Sequence, residues 1–77
     1  MTRPIERGDI VRVARSERLA QVTRTYEDGR TFGLRYIGAT HDVVLPTACC
    51  AREDMTLAQA VSAQRLQDMA TIERWGA

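Results

Sequence analysis

Eleven arginines and no lysine carry the positive charge of this 77-residue chain. A guanidinium is planar, always charged and suited to bidentate contact with phosphate or carboxylate. The absence of lysine also removes Schiff-base and lysine-base chemistry. Arg12, Arg24 and Arg35 fall in the middle of three successive strand-like runs, and Arg15, Arg18 and Arg30 fall in the loops between them. Brought to one face, these six would make a phosphate-binding surface. The competing reading is a solvated face neutralised by Glu17, Glu27 and Asp28. Tyr26 and Tyr36 could stack a base or flank a methylated cation, or Tyr36 could join Phe32 in a core.

The remaining reactive residues form no recognised catalytic set. His41 is the only histidine, and neither Ser16 nor Ser62 sits in a nucleophile motif. Cys49 and Cys50 are adjacent, whereas metal sites space their thiolates and need four ligands. One facing inward and one at the surface is the expected arrangement. The carboxylates are scattered and the five glycines isolated, so no paired-acid site or phosphate loop is read. No enzyme activity, metal or cofactor is expected, short of a composite site on an oligomer axis.

The charge is nearly balanced at +1 overall but unevenly placed. Residues 1–52 carry nine Arg against six acids (+3), and residues 53–77 two Arg against four acids (−2). A marked basic excess, the usual sign of nonspecific nucleic-acid attraction, is missing. No apolar run approaches the roughly 18 residues of a membrane span. The charged N-terminal stretch is unlike a secretory signal. These features predict a single soluble, cytoplasmic domain over residues 1–77.

The elements that must position these residues are short. Asp9–Ala14 is β-branched, with Val11 and Val13 on one face and Arg12 on the other. Leu19–Tyr26 alternates weakly, with Ala20, Val22 and Arg24 assigned to one face. Asp28-Gly29 between two such runs is a hairpin signal. Thr31–Ile37 places Phe32, Leu34 and Tyr36 together, with Gly33 marking a bulge or a close approach. Asp42–Leu45 is a strand stopped by Pro46, and Thr47–Arg52 fits either a helical turn or a last strand. Thr56 and Gln59 form a capping box that opens a helix of about 18–20 residues over 56–75. On a helical wheel, Leu57, Ala58, Val61, Leu66, Met69, Ile72 and Trp75 cover about half the circumference, with Arg65 and Asp68 inside the arc and able to pair.

The whole is mostly β with one C-terminal α-helix. Gly8-Asp9-Ile10-Val11-Arg12-Val13, Gln21-Val22, Leu34-Arg35-Tyr36-Ile37-Gly38 and Val43-Val44-Leu45-Pro46 resemble the strand rhythm of SH3-like small barrels of the Tudor and KOW kinds. The resemblance spans about residues 8–50 and excludes the helix. Arg18-Leu19-Ala20-Gln21 lacks the glycine that KOW motifs carry there. It implies a four- to five-stranded barrel capped by the helix, acting as a binding module for nucleic acid or a nucleic-acid-handling complex. On that expectation Arg12, Arg15, Arg18, Arg24, Arg30 and Arg35 contact phosphates, and Tyr26 or Tyr36 stacks. The alternative is a protein-interaction or homodimerisation adaptor working through Arg65, Leu66, Asp68, Met69 and Trp75.

Overall fold

A computed structural model describes residues 4–76, with side-chain surroundings described through residue 72. Five strands run in the order β4-β3-β2-β1-β5: β1 Ile10–Val13, β2 Leu19–Thr25, β3 Thr31–Tyr36, β4 Val43–Pro46 and β5 Cys50–Glu53. Every ladder is antiparallel. One 3-10 turn, Thr47–Cys49, joins β4 to β5, and one helix, α1, spans Leu57–Gly76. The stretch read as turn or strand is therefore both in succession.

The short link between β4 and β5 dictates the shape. In a flat sheet these two edge strands would lie about 19 Å apart, at about 4.8 Å per strand. A single 3-10 turn rises only about 2 Å per residue. The sheet is therefore strongly curled. Its ladders end at β4 and β5, and no pairing between those two strands closes the ring among the described residues. Strand β4 terminates at Pro46, which is its last paired residue, opposite Thr31. An edge strand tolerates the missing N–H.

Alternation along the strands creates two cores. Val11, Val13, Ala20, Val22, Phe32 and Leu34 fill the inside of the curl, with Ile5, Tyr36, Leu45 and Cys50 packed around them. Ile10 and Leu19 point outward and are covered by Ala60 of α1, flanked by Ile37, Met55 and Ala63. The helix thus lies on the outer face of the sheet.

Local signals are realised as their chemistry requires. Thr56 N–H donates to Gln59 Oε1 at 2.8 Å, and Gln59 N–H donates back to Thr56 Oγ1 at 3.2 Å. At the β2–β3 turn Gly29 takes φ +67°, and Asp28 Oδ1 accepts from the N–H groups of Arg30 and Thr31 at 3.0 and 3.3 Å. The Arg30 amide is the main reason that the Asp28 carboxyl sits below its usual pKa.

One face assignment is corrected. The β2–β3 register shifts between Val22 and Arg24, so Arg24 faces Gly33 rather than following Val22 inward. A Cβ placed on Gly33 would sit 3.3 Å from Arg24 Cβ. Gly33 therefore marks a close approach, and the bulge lies opposite it on β2.

Candidate interaction surfaces

The register does bring Arg12, Arg24 and Arg35 to one face, the outer one. They do not form a free cationic surface there. Arg12 Nε donates to Glu53 Oε1 at 3.0 Å, and its Nη1 donates to the Glu17 carbonyl at 2.8 Å. Arg35 Nε donates to Asp42 Oδ1 at 2.7 Å. The helix runs between these two pairs. Arg35 borders the same groove as Leu57 and Val61. On the other flank Gln67 Nε2 donates to the Glu17 carbonyl that Arg12 also uses, at 3.3 Å.

The loop arginines are split between the ends of the sheet. Arg15 and Arg18 precede β2 and Arg30 follows it, with the seven residues of β2 between. That separation is about 23 Å at about 3.3 Å per residue. Arg18 is further occupied, its Nη1 donating to Asp68 Oδ1 at 3.1 Å. Arg15, Arg24 and Arg30 are exposed and make no ion pair among the described residues. The tyrosines do not converge either. Tyr36 pairs with Ala20 at the start of β2 and packs on the inner core. Tyr26 follows the other end of β2 and lines a groove with Pro4, Ile5, Phe32 and Thr47.

His41 is exposed in the β3–β4 turn. Cys49 is exposed and Cys50 half-buried, neither in a disulfide. Burial, and then the neighbouring Cys49, raise the Cys50 pKa. No three His, Cys, Asp or Glu residues gather in a metal-ligating group among the described residues. No helix among them is long and apolar enough to cross a membrane.

The helix docks in a way its apolar residues do not suggest. Among its described side chains the fully buried ones are Ala60 and Gln64. Gln64 Oε1 accepts the Leu19 N–H at 2.8 Å, and its Nε2 donates to Asp68 Oδ1 at 3.0 Å. Leu19 needs that acceptor because β3 ends at Tyr36 and the next residue, Ile37, only donates its N–H to the Leu19 carbonyl before the chain turns away at Gly38. Asp68 therefore serves Arg18 and Gln64, not Arg65 as the three-residue spacing suggested.

The apolar arc is consequently left outside. Leu57, Val61, Leu66, Met69 and Ile72 are 45, 47, 67, 53 and 68% exposed. Leu57 and Val61 stay about half exposed, and α1 docks through the neighbouring Ala60 and Gln64. Trp75, also placed at a partner surface from sequence, lies outside the residues whose side chains are described. A shallow groove runs along the arc, between Val61, Arg65, Met69 and Ile72 on the helix and the Ile37-Gly38 turn after β3.

No known family model, curated protein or solved structure matches the chain. The functional reading therefore rests on the surface itself.

Proposed function

We propose that this chain is a small binding module that assembles with protein through the outward stripe of α1, on a scaffold of SH3-like type. The observation that supports this reading is the mismatch between the docked and the apolar faces of the helix. A helix anchored by Ala60 and Gln64 leaves Val61, Met69 and Ile72 side by side in water. Apolar surface of this kind on a small domain marks an interaction site, and covering it gains about 25 cal/mol per Å². The engagement of Arg12, Arg18 and Arg35 by carboxylates leaves the nucleic-acid alternative with dispersed cations. Two unpaired thiols fit a reducing, cytoplasmic setting.

The test is a photo-crosslinking amino acid placed at position 61 or at position 30 in cells. Protein adducts from position 61 are expected. Nucleic-acid adducts from position 30, with none to protein from position 61, would overturn the reading.

A further inference from the structure

Two seams run side by side along α1. Ala60, Gln64 and Gln67, at i, i+4 and i+7, face the sheet and the β1–β2 turn. One residue on, Val61, Arg65, Asp68 and Ile72 repeat the spacing at i, i+4, i+7 and i+11. This second seam is turned by about 100° from the first and is exposed or half-exposed throughout. Its alternating steps of four, three and four residues are those of a seam between two helices packed lengthwise.

The order along this seam is apolar, basic, acidic, apolar, and it complements itself when reversed. An antiparallel helix that sets Val61 against Ile72 of a second copy sets Arg65 against Asp68 of that copy. The two-fold axis then generates the same contacts again. A parallel pair in register would oppose Arg65 to Arg65 and Asp68 to Asp68, which like charge disfavours.

The charges are free to make this exchange. Arg65 is exposed and has no ion pair among the described residues. The Asp68 bonds to Arg18 and Gln64 both use Oδ1, leaving Oδ2 to receive a guanidinium. The groove beside Ile37-Gly38 gives the second helix a floor.

Resting on the reading of α1 as a protein-docking surface, we infer that its occupant is a second copy of this chain, bound as an antiparallel helix pair with reciprocal Arg65–Asp68 contacts. An interface of one helix face and one turn belongs to the small class, below about 1,200 Å². A dissociation constant in the micromolar range is expected.

Sedimentation equilibrium of the full chain tests this. The wild type is expected to dimerise. Arg65→Asp alone and Asp68→Arg alone should each weaken the dimer at least about tenfold, or about 1.4 kcal/mol. An equimolar mixture of the two should regain it as a heterodimer, because each clash becomes a reciprocal attraction. Placing both substitutions in one chain should restore the homodimer, and circular dichroism checks that each variant is folded. A monomeric wild type at millimolar concentration, or charge variants that dimerise undiminished, overturns the inference. If the wild type is monomeric while position 61 still crosslinks to a different protein, the occupant is wrong and the docking surface stands. If position 61 crosslinks to nothing, both fail.

Discussion

Gln64 accepts the Leu19 backbone N–H through Oε1 at 2.8 Å, a hydrogen bond that ties α1 to the second strand across 45 residues of sequence. Leu19 is fully buried and Gln64 nearly so. A buried amide without an acceptor costs more than an ordinary hydrogen bond contributes. The bond therefore selects which helix face docks, and the outward stripe follows from it.

Gln64→Ala should leave the Leu19 N–H unsatisfied and lower stability by about 1–3 kcal/mol. Urea unfolding would measure the loss, and amide exchange should quicken first at Leu19. Unchanged exchange there would mean that the helix is held by other contacts.

Glu17 takes φ +58° in the β1–β2 turn, a conformation that side chains other than glycine adopt at a cost. Its carbonyl is fixed by Arg12 and Gln67, so the turn keeps this shape. Glu17→Gly should raise the unfolding free energy by up to about 1 kcal/mol, since glycine adopts this geometry without strain. A drop in the melting temperature would contradict the account of the turn.

Gly33→Val should destabilise the sheet by crowding β2. Its first carbon would already meet Arg24 Cβ at 3.3 Å and Thr23 Oγ1 at 3.4 Å. Crowding of this kind costs about 1–3 kcal/mol. Thermal unfolding measures it, and a neutral result would place the β2 bulge elsewhere.

Burial raises the Cys50 pKa, and Cys49 adds to the shift. The thiolate of Cys50 is therefore scarce through the ordinary thiol range and grows only at higher pH. Alkylation followed by mass spectrometry should modify the exposed Cys49 first. Labelling of Cys50 should keep rising with pH beyond the usual thiol midpoint of about 8.5. Equal early labelling of both residues would show that Cys50 is not packed on the inner core.

What was legible in the sequence was local. The Thr56–Gln59 box and the Asp28-Gly29 turn each act within four residues, so spacing alone reveals them. The spans of the first three strands followed from one β-branched run and two alternating ones, also within a few residues. The face of Arg24 was hidden because the extra residue at Thr23 shows only when β2 is paired with β3. The docking face of α1 was hidden for a similar reason. Counting apolar residues favours Leu57 and Val61, whereas the decisive group is a polar one, matched to an amide in a distant strand. The arginine pairs divide along the same line. Arg12–Glu53 and Arg18–Asp68 join residues 41 and 50 positions apart, beyond what sequence spacing can suggest.

The central claim is that the outward stripe of α1, and not the arginines of the sheet, is the working surface. Amide shifts of labelled protein, followed through dilution from millimolar to micromolar and then on adding a mixed-sequence oligonucleotide, test it directly. The account predicts that Val61, Arg65, Asp68, Met69, Ile72 and the Ile37-Gly38 turn move on dilution, and that the oligonucleotide moves nothing. A helix insensitive to dilution, with salt-dependent shifts at Arg12, Arg24 and Arg35 when the oligonucleotide is added, would contradict it.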